Sequence, residues 1–125
     1  MYDSKKRSWT QKFRDAFRGV REGVRGQSSF FVHFFFAMVT IVAGFVLEVN
    51  SGEWCILLIC IAGVLGAEMF NSALESMARA ITDQANPHLG RALDIGSAAV
   101  LLAAAGSVVV GAIVFLNKLG GFWGW

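Results

Sequence analysis

Residues 54–75 read Trp-Cys-Ile-Leu-Leu-Ile-Cys-Ile-Ala-Gly-Val-Leu-Gly-Ala-Glu-Met-Phe-Asn-Ser-Ala-Leu-Glu. Fourteen residues without a charge lead into Glu68, Asn71 and Glu75. The apolar run has the character of a membrane-spanning helix, and the spacing i, i+3, i+7 sets the three polar groups on one helical face. A charge at membrane depth costs roughly 2.5–3.5 kcal/mol on insertion scales, so such residues are rare and usually functional. Two carboxylates and one amide on one face form a plausible bed for a divalent cation and its cargo.

The rest of the chain agrees with a membrane setting. Of 125 residues, 55% are hydrophobic, 16% are charged and one is proline. That is more apolar and less charged than an ordinary soluble domain. Its length suits a single membrane domain over 1–125. The net charge of +2 conceals an asymmetry, because residues 1–29 carry a net +5 and the remainder a net −3. A basic front end on a membrane protein marks the cytoplasmic side. The same arm invites a nucleic-acid reading, which the apolar remainder disfavours. Cys55 and Cys60 lie five apart in an apolar run and read as small packing residues.

Outward from the opening stretch, four segments appear. Residues 8–26 form a basic amphipathic helix with an aromatic stripe of Trp9, Phe13 and Phe17, suited to the membrane interface. Residues 30–48 are apolar except for His33, Thr40 and the terminal Glu48, close to the roughly twenty residues a span requires. A polar turn over 48–53 precedes the second span, 54–78, which runs on into the cytoplasm. The Asn86-Pro87 step marks a turn before the third span, 88–116. The expected fold is therefore an all-α membrane protein: a surface helix plus three transmembrane helices. Charge places the N-terminus and the 79–91 loop in the cytoplasm, with Lys118 a mild exception. Glu68, Asn71, Glu75 and Asp94 then lie near the face where ATP and magnesium are available. Small residues fill the third span, among them Gly96, Ser97, Ala98, Ala99 and Gly106. They allow close helix contact, and three thin spans hardly enclose a polar site alone, so an oligomer is expected.

Each candidate has a plainer reading. Glu75 is near enough to the headgroups to be a solvated helix end, but Glu68 is not. Arg91 and Asp94 suit a local pair with a helix-start acid. His33 reads as a buried hydrogen-bonded or an interfacial imidazole rather than a catalyst. The chain has no P-loop motif, no HExxH and no nucleophile elbow. Phosphate chemistry here has to rest on carboxylate-held Mg²⁺ and basic side chains.

Two motifs carry a resemblance: Glu68-x-x-Asn71-Ser72-Ala73-x-Glu75, and Arg91-Ala92-x-Asp94-x-x-x-Ala98-Ala99-Val100-Leu101-Leu102. With Phe13-x-x-Ala16-Phe17-x-Gly19, Phe30-x-x-His33 and Glu53-Trp54, the chain resembles the prokaryotic diacylglycerol kinase and undecaprenol kinase family from about Phe13 to Leu116. The resemblance implies a homotrimeric lipid kinase in the bacterial inner membrane, multi-pass with its N-terminus cytoplasmic. It implies transfer of the ATP γ-phosphate to a membrane lipid hydroxyl with Mg²⁺. It assigns Glu68 as base, Asn71 as an orienting group and Glu75 as metal ligand. Gln27 stands where the family has a second metal-binding glutamate. Asp94, Arg91, Gln84 and Asn86 fall to the nucleotide, and Arg21, Phe30, Glu68 and Ala98 to the lipid.

The chain departs from the family pattern at four places. Gln27 replaces that glutamate, and Leu93 replaces a lysine that faces the phosphates. Arg79 replaces an acid, and Gln84-Ala85-Asn86-Pro87 replaces a Glu-Tyr-His-Pro turn. Arg91 or Arg79 is available to supply the lost positive charge. Two readings stay open: a working lipid kinase with a rearranged phosphate site, or a degenerate member that binds lipid or nucleotide without efficient transfer.

Overall fold

The computed structural model describes residues 6–24 and 28–122, and the regular structure among them is entirely α-helical. Helix α1 spans Trp9–Val24, α2 Ser28–Val46, α3 Ser51–Ile81 and α4 Pro87–Phe122. Gln27, Trp123 and Trp125 lie outside the described residues.

Local chemistry sets each helix start. Ser8 caps α1: its hydroxyl accepts from Gln11 N at 3.2 Å, while Gln11 Oε1 accepts from Ser8 N at 2.9 Å. Asn50 and Glu53 form the same reciprocal box at 2.9 Å in both directions. Residues 51–53 therefore belong to the first turn of α3, and the polar turn is shorter than hydropathy suggests. Glu48, with φ of 55°, turns the chain there. Pro87 opens α4, where its missing N–H costs nothing. Asn86 Oδ1 accepts from His88 N at 3.0 Å and Leu89 N at 3.2 Å, so this side chain is a helix cap.

Helices α3 and α4 pair along the largest interface, with α2 and α1 laid against them. Both are long and apolar enough to cross a membrane. Their most apolar stretches are only 22% and 11% buried, whereas the core helix of a soluble protein is mostly buried. The apolar part of α2, Phe30–Val46, is shorter. At 1.5 Å per residue α3 is about 46 Å long, more than a hydrocarbon core of about 30 Å. Helix α1 buries none of its residues, and Trp9, Phe13, Phe17 and Val20 are each more than half exposed. Its opposite face is ionic, with Asp15 held by Arg7 and Arg18. Arg7 first, then Arg18, keeps that carboxyl below the ordinary range.

At the end remote from Glu75, Val49, Leu57 and Val114 form a small core with Trp54, Val110 and Phe115 around it. Trp54 lies across α2: a Cβ on Gly44 would come within 2.6 Å of the indole, so only glycine permits that approach. Lys118 Nζ meets Glu53 Oε1 at 2.9 Å. This pairing explains why a lysine is tolerated opposite the basic end, since its charge is neutralised across the α3–α4 interface. Both side chains keep about a quarter of their surface, so the coupling is modest. A double-mutant cycle on Glu53→Ala and Lys118→Ala, read by unfolding in detergent, is expected to show a small coupling that added salt weakens further.

Candidate active site on the inner face of α3

The polar face read from residues 68–75 turns inward. Glu68, Asn71 and Ser72 are the buried polar residues among those described, at 5%, 7% and 9% exposure. The spacing selects this result, because one helical face must meet the neighbouring helices while Phe70 and Ala73 point away. Asn71 Nδ2 donates to Glu75 Oε1 at 3.1 Å, joining the buried amide to the carboxylate one turn nearer the water.

Helix α4 answers this face with a glycine. A Cβ on Gly96 would lie 2.5 Å from Asn71 Oδ1 and 2.9 Å from Leu74 Cδ1. Gly96 therefore acts in packing, and its small size is used by a polar partner. On the α1 side, Gly23 packs against the Met69 side chain, seating the surface helix beside the site. From α2, His33 Nε2 approaches Glu68 Oε2 at 3.3 Å, with 17% and 6% of the two side chains exposed. The imidazole of His33 is half-buried, with a carboxylate as its neighbour.

Beyond Glu75 the α3–α4 connection encloses an open cleft of about 640 Å³. It is lined by Glu75, Arg79, Gln84, Asn86 and Leu93 among others. Of the nucleotide candidates, Gln84 and Asn86 reach this cleft, although the Asn86 side-chain oxygen is engaged as a cap. Arg91 and Asp94 are exposed and do not line it, nor do they form an ion pair with each other. Among the lipid candidates, Phe30 is fully buried and stacks near Phe34, whereas Ala98 is exposed on α4. Arg21 extends from α1 and meets Glu22 at 4.0 Å.

No three His, Cys, Asp or Glu side chains gather into a ligand set among the described residues. Mg²⁺ does not require one, since it is commonly held by one or two carboxylates together with substrate phosphates. Two buried oxygens, Asn71 Oδ1 and Ser72 Oγ, have no hydrogen-bond partner. An unsatisfied buried polar atom costs roughly 1–3 kcal/mol, so a polar face kept this way is suited to a ligand rather than to stability. The Glu75 carboxylate at the cleft is a hard oxygen ligand that fits Mg²⁺, while Asn71 turns its Nδ2 toward Glu75 and its Oδ1 against Gly96. Ser72 is absent from the sequence-based candidates, because a serine in a helix ordinarily bonds its own backbone and gives no signal.

An apolar helical hairpin carrying a buried carboxylate–amide face, with a charged cleft at one end, defines a membrane protein with a polar site between its helices. Family comparison gives the class a name. Residues 14–115 match the model of the prokaryotic diacylglycerol kinase family, and the chain belongs to that family. It is 33% identical over 109 residues to the undecaprenol kinase of Bacillus subtilis, covering 87% of this chain and 89% of that protein. It is 32% identical over 108 residues to a diacylglycerol kinase of Synechocystis, covering 86% of this chain but 62% of that protein.

The Gly96 contact makes a direct prediction. Gly96→Ala forces Asn71 from its place, costing about 1–3 kcal/mol of stability by overpacking. Thermal unfolding in detergent measures that loss, which Asn71→Ala in the same chain should largely relieve.

Proposed function

We propose that this protein phosphorylates the hydroxyl of a membrane lipid, diacylglycerol or undecaprenol, using ATP and Mg²⁺ at the cytoplasmic face of the bacterial inner membrane. The observation that carries this reading is the continuity of α3. It holds Glu68 buried among apolar helices and Glu75 two turns further on at a charged cleft. A lipid hydroxyl approaches from the hydrocarbon side and a nucleotide from the water.

Glu68 takes the proton of the lipid hydroxyl. That oxygen forms a bond to the γ-phosphorus, the bond from the γ-phosphorus to the bridging oxygen breaks, and ADP leaves with the electron pair. Asn71 ties the two halves together through its contact with Glu75. Glu75, with Gln27, would hold Mg²⁺, which when bound neutralises charge on the phosphates. Of the two arginines available to replace the family's lysine, Arg79 is favoured, because it shares the cleft with Glu75 and Leu93 whereas Arg91 does not. Gln84 lies in the same cleft as a neutral donor.

Further parts of the reading rest on general physics. Helix α2, 19 residues and about 28 Å long and so close to the hydrocarbon thickness, joins α3 and α4 to make three spans. The N-terminus and the α3–α4 connection face the cytoplasm by charge. Small exposed positions on α4, Ala98 and Gly106 among them, suit close contact in a homotrimer.

The decisive measurement is transfer of label from γ-labelled ATP in detergent, with diacylglycerol and undecaprenol offered separately. Turnover of either lipid is expected. None from a folded protein at ample Mg²⁺ would favour the degenerate reading, a member that binds without transferring. Glu68→Gln should lower kcat by about 100-fold or more, the usual weight of a general base. Arg79→Ala should raise KM for ATP about tenfold, matching the loss of one charge-assisted hydrogen bond, and Arg91→Ala should change it little. Adding Leu93→Lys to Arg79→Ala should restore nucleotide affinity.

A further inference from the structure

His33 is the one titratable side chain in α2, whose other residues are apolar or hydroxyl-bearing. Its side chain is 17% exposed and its Nε2 stands 3.3 Å from Glu68 Oε2. A polar ring inside an apolar helix is costly unless partnered, so this one is either satisfied for stability or placed for a task. The identity of the partner decides between them. The ring meets the buried carboxylate assigned the proton, from a helix that supplies no other charged group.

We infer that His33 is a positioning residue for Glu68: its Nε2–H holds one carboxylate oxygen so that the carboxylate keeps the orientation needed to receive the lipid hydroxyl's proton. A carboxylate accepts hydrogen bonds and does not donate them, so Nε2 carries the hydrogen in this contact. At 3.3 Å the approach is just beyond the usual N–H···O range of about 2.7–3.2 Å, as catalytic contacts often are before substrate arrives. A glutamate has three side-chain torsions, and a buried one with an anchored oxygen loses most of that freedom. Orientation held in advance lowers the barrier without contact between His33 and the reacting atoms. The inference rests on the kinase reading above.

Substitutions separate positioning from bulk. His33 also lines an apolar groove of about 520 Å³ between α2, α3 and α4, beside Val32, Phe36 and Leu65, so leucine suits the surroundings. His33→Gln places an amide N–H at a reach similar to Nε2. In full-length protein assayed with labelled ATP and the accepted lipid, His33→Leu should lower kcat about 10–100-fold, the usual weight of a supporting hydrogen bond at a reactive group. KM for ATP should stay within about twofold, and His33→Gln should recover kcat to within about threefold of wild type. The double variant His33→Leu/Glu68→Gln should be no slower than Glu68→Gln alone, because the two act as a unit. If His33→Leu does not fold, His33→Asn takes its place, carrying the same amide with too short a reach. The inference is overturned by an unchanged kcat in His33→Leu, by equal impairment of the short and long amides, or by losses that multiply in the double variant. Wild-type protein inactive on both lipids overturns the kinase reading and this inference with it. An active wild type with an indifferent His33 overturns the inference alone.

Discussion

Asn71 pressed against the backbone of Gly96 is the contact on which the arrangement depends. A membrane helix that carries a carboxylate and an amide must turn them away from lipid, and they can turn only toward a neighbour that leaves room. The missing side chain at Gly96 supplies that room, so α4 lies close enough to cover Asn71 and Leu74. Once α3 and α4 are seated, the remaining contacts follow in register: His33 reaches Glu68, Met69 receives α1 at Gly23, and Glu75 is left at the mouth of the cleft. The far end is fixed separately, by the Glu53–Lys118 pair and the Trp54 wedge against Gly44.

Stability and chemistry divide along the length of α3. At the Ser51 end the polar side chains of Asn50, Glu53 and Lys118 are joined, through the Asn50–Glu53 box and the lysine of α4. Toward the other end, buried oxygens on Asn71 and Ser72 are left without one. A helix that joins these side chains at one end and leaves buried oxygens without a partner at the other concentrates its unspent hydrogen-bonding capacity where the charged cleft opens. Capacity of this kind serves a ligand better than it serves the fold.

What the sequence discloses depends on how local the cause is. The Glu68–Asn71–Glu75 face is legible because helical spacing alone places it, and the long apolar runs of α3 and α4 are equally plain. The start of α3 is misjudged by three residues, since hydropathy reads Glu53 as loop whereas the capping box makes it helix. His33 and Glu68 lie 35 positions apart on different helices, and nothing in either segment announces the other. Gly96 similarly appears as one of many small residues until Asn71 is seen against it. Asn86, an expected nucleotide contact, proves to spend its side chain on a backbone cap, a role its place before Pro87 already suits. Whether Arg79 or Arg91 faces the cleft turns on where α4 begins, which the motif does not specify.

The unbroken course of α3 from Glu68 to Glu75 carries a consequence of scale. Seven residues of helix rise about 10 Å, somewhat more than the roughly 5–7 Å of headgroup on one side of a bilayer. A rigid rod of that span works as a ruler laid across the boundary between two solvents. In the proposed function its inner mark would lie in oil and its outer mark in water. Two reactants that dissolve in different phases would thereby be brought to one edge, and neither would have to leave the medium that holds it.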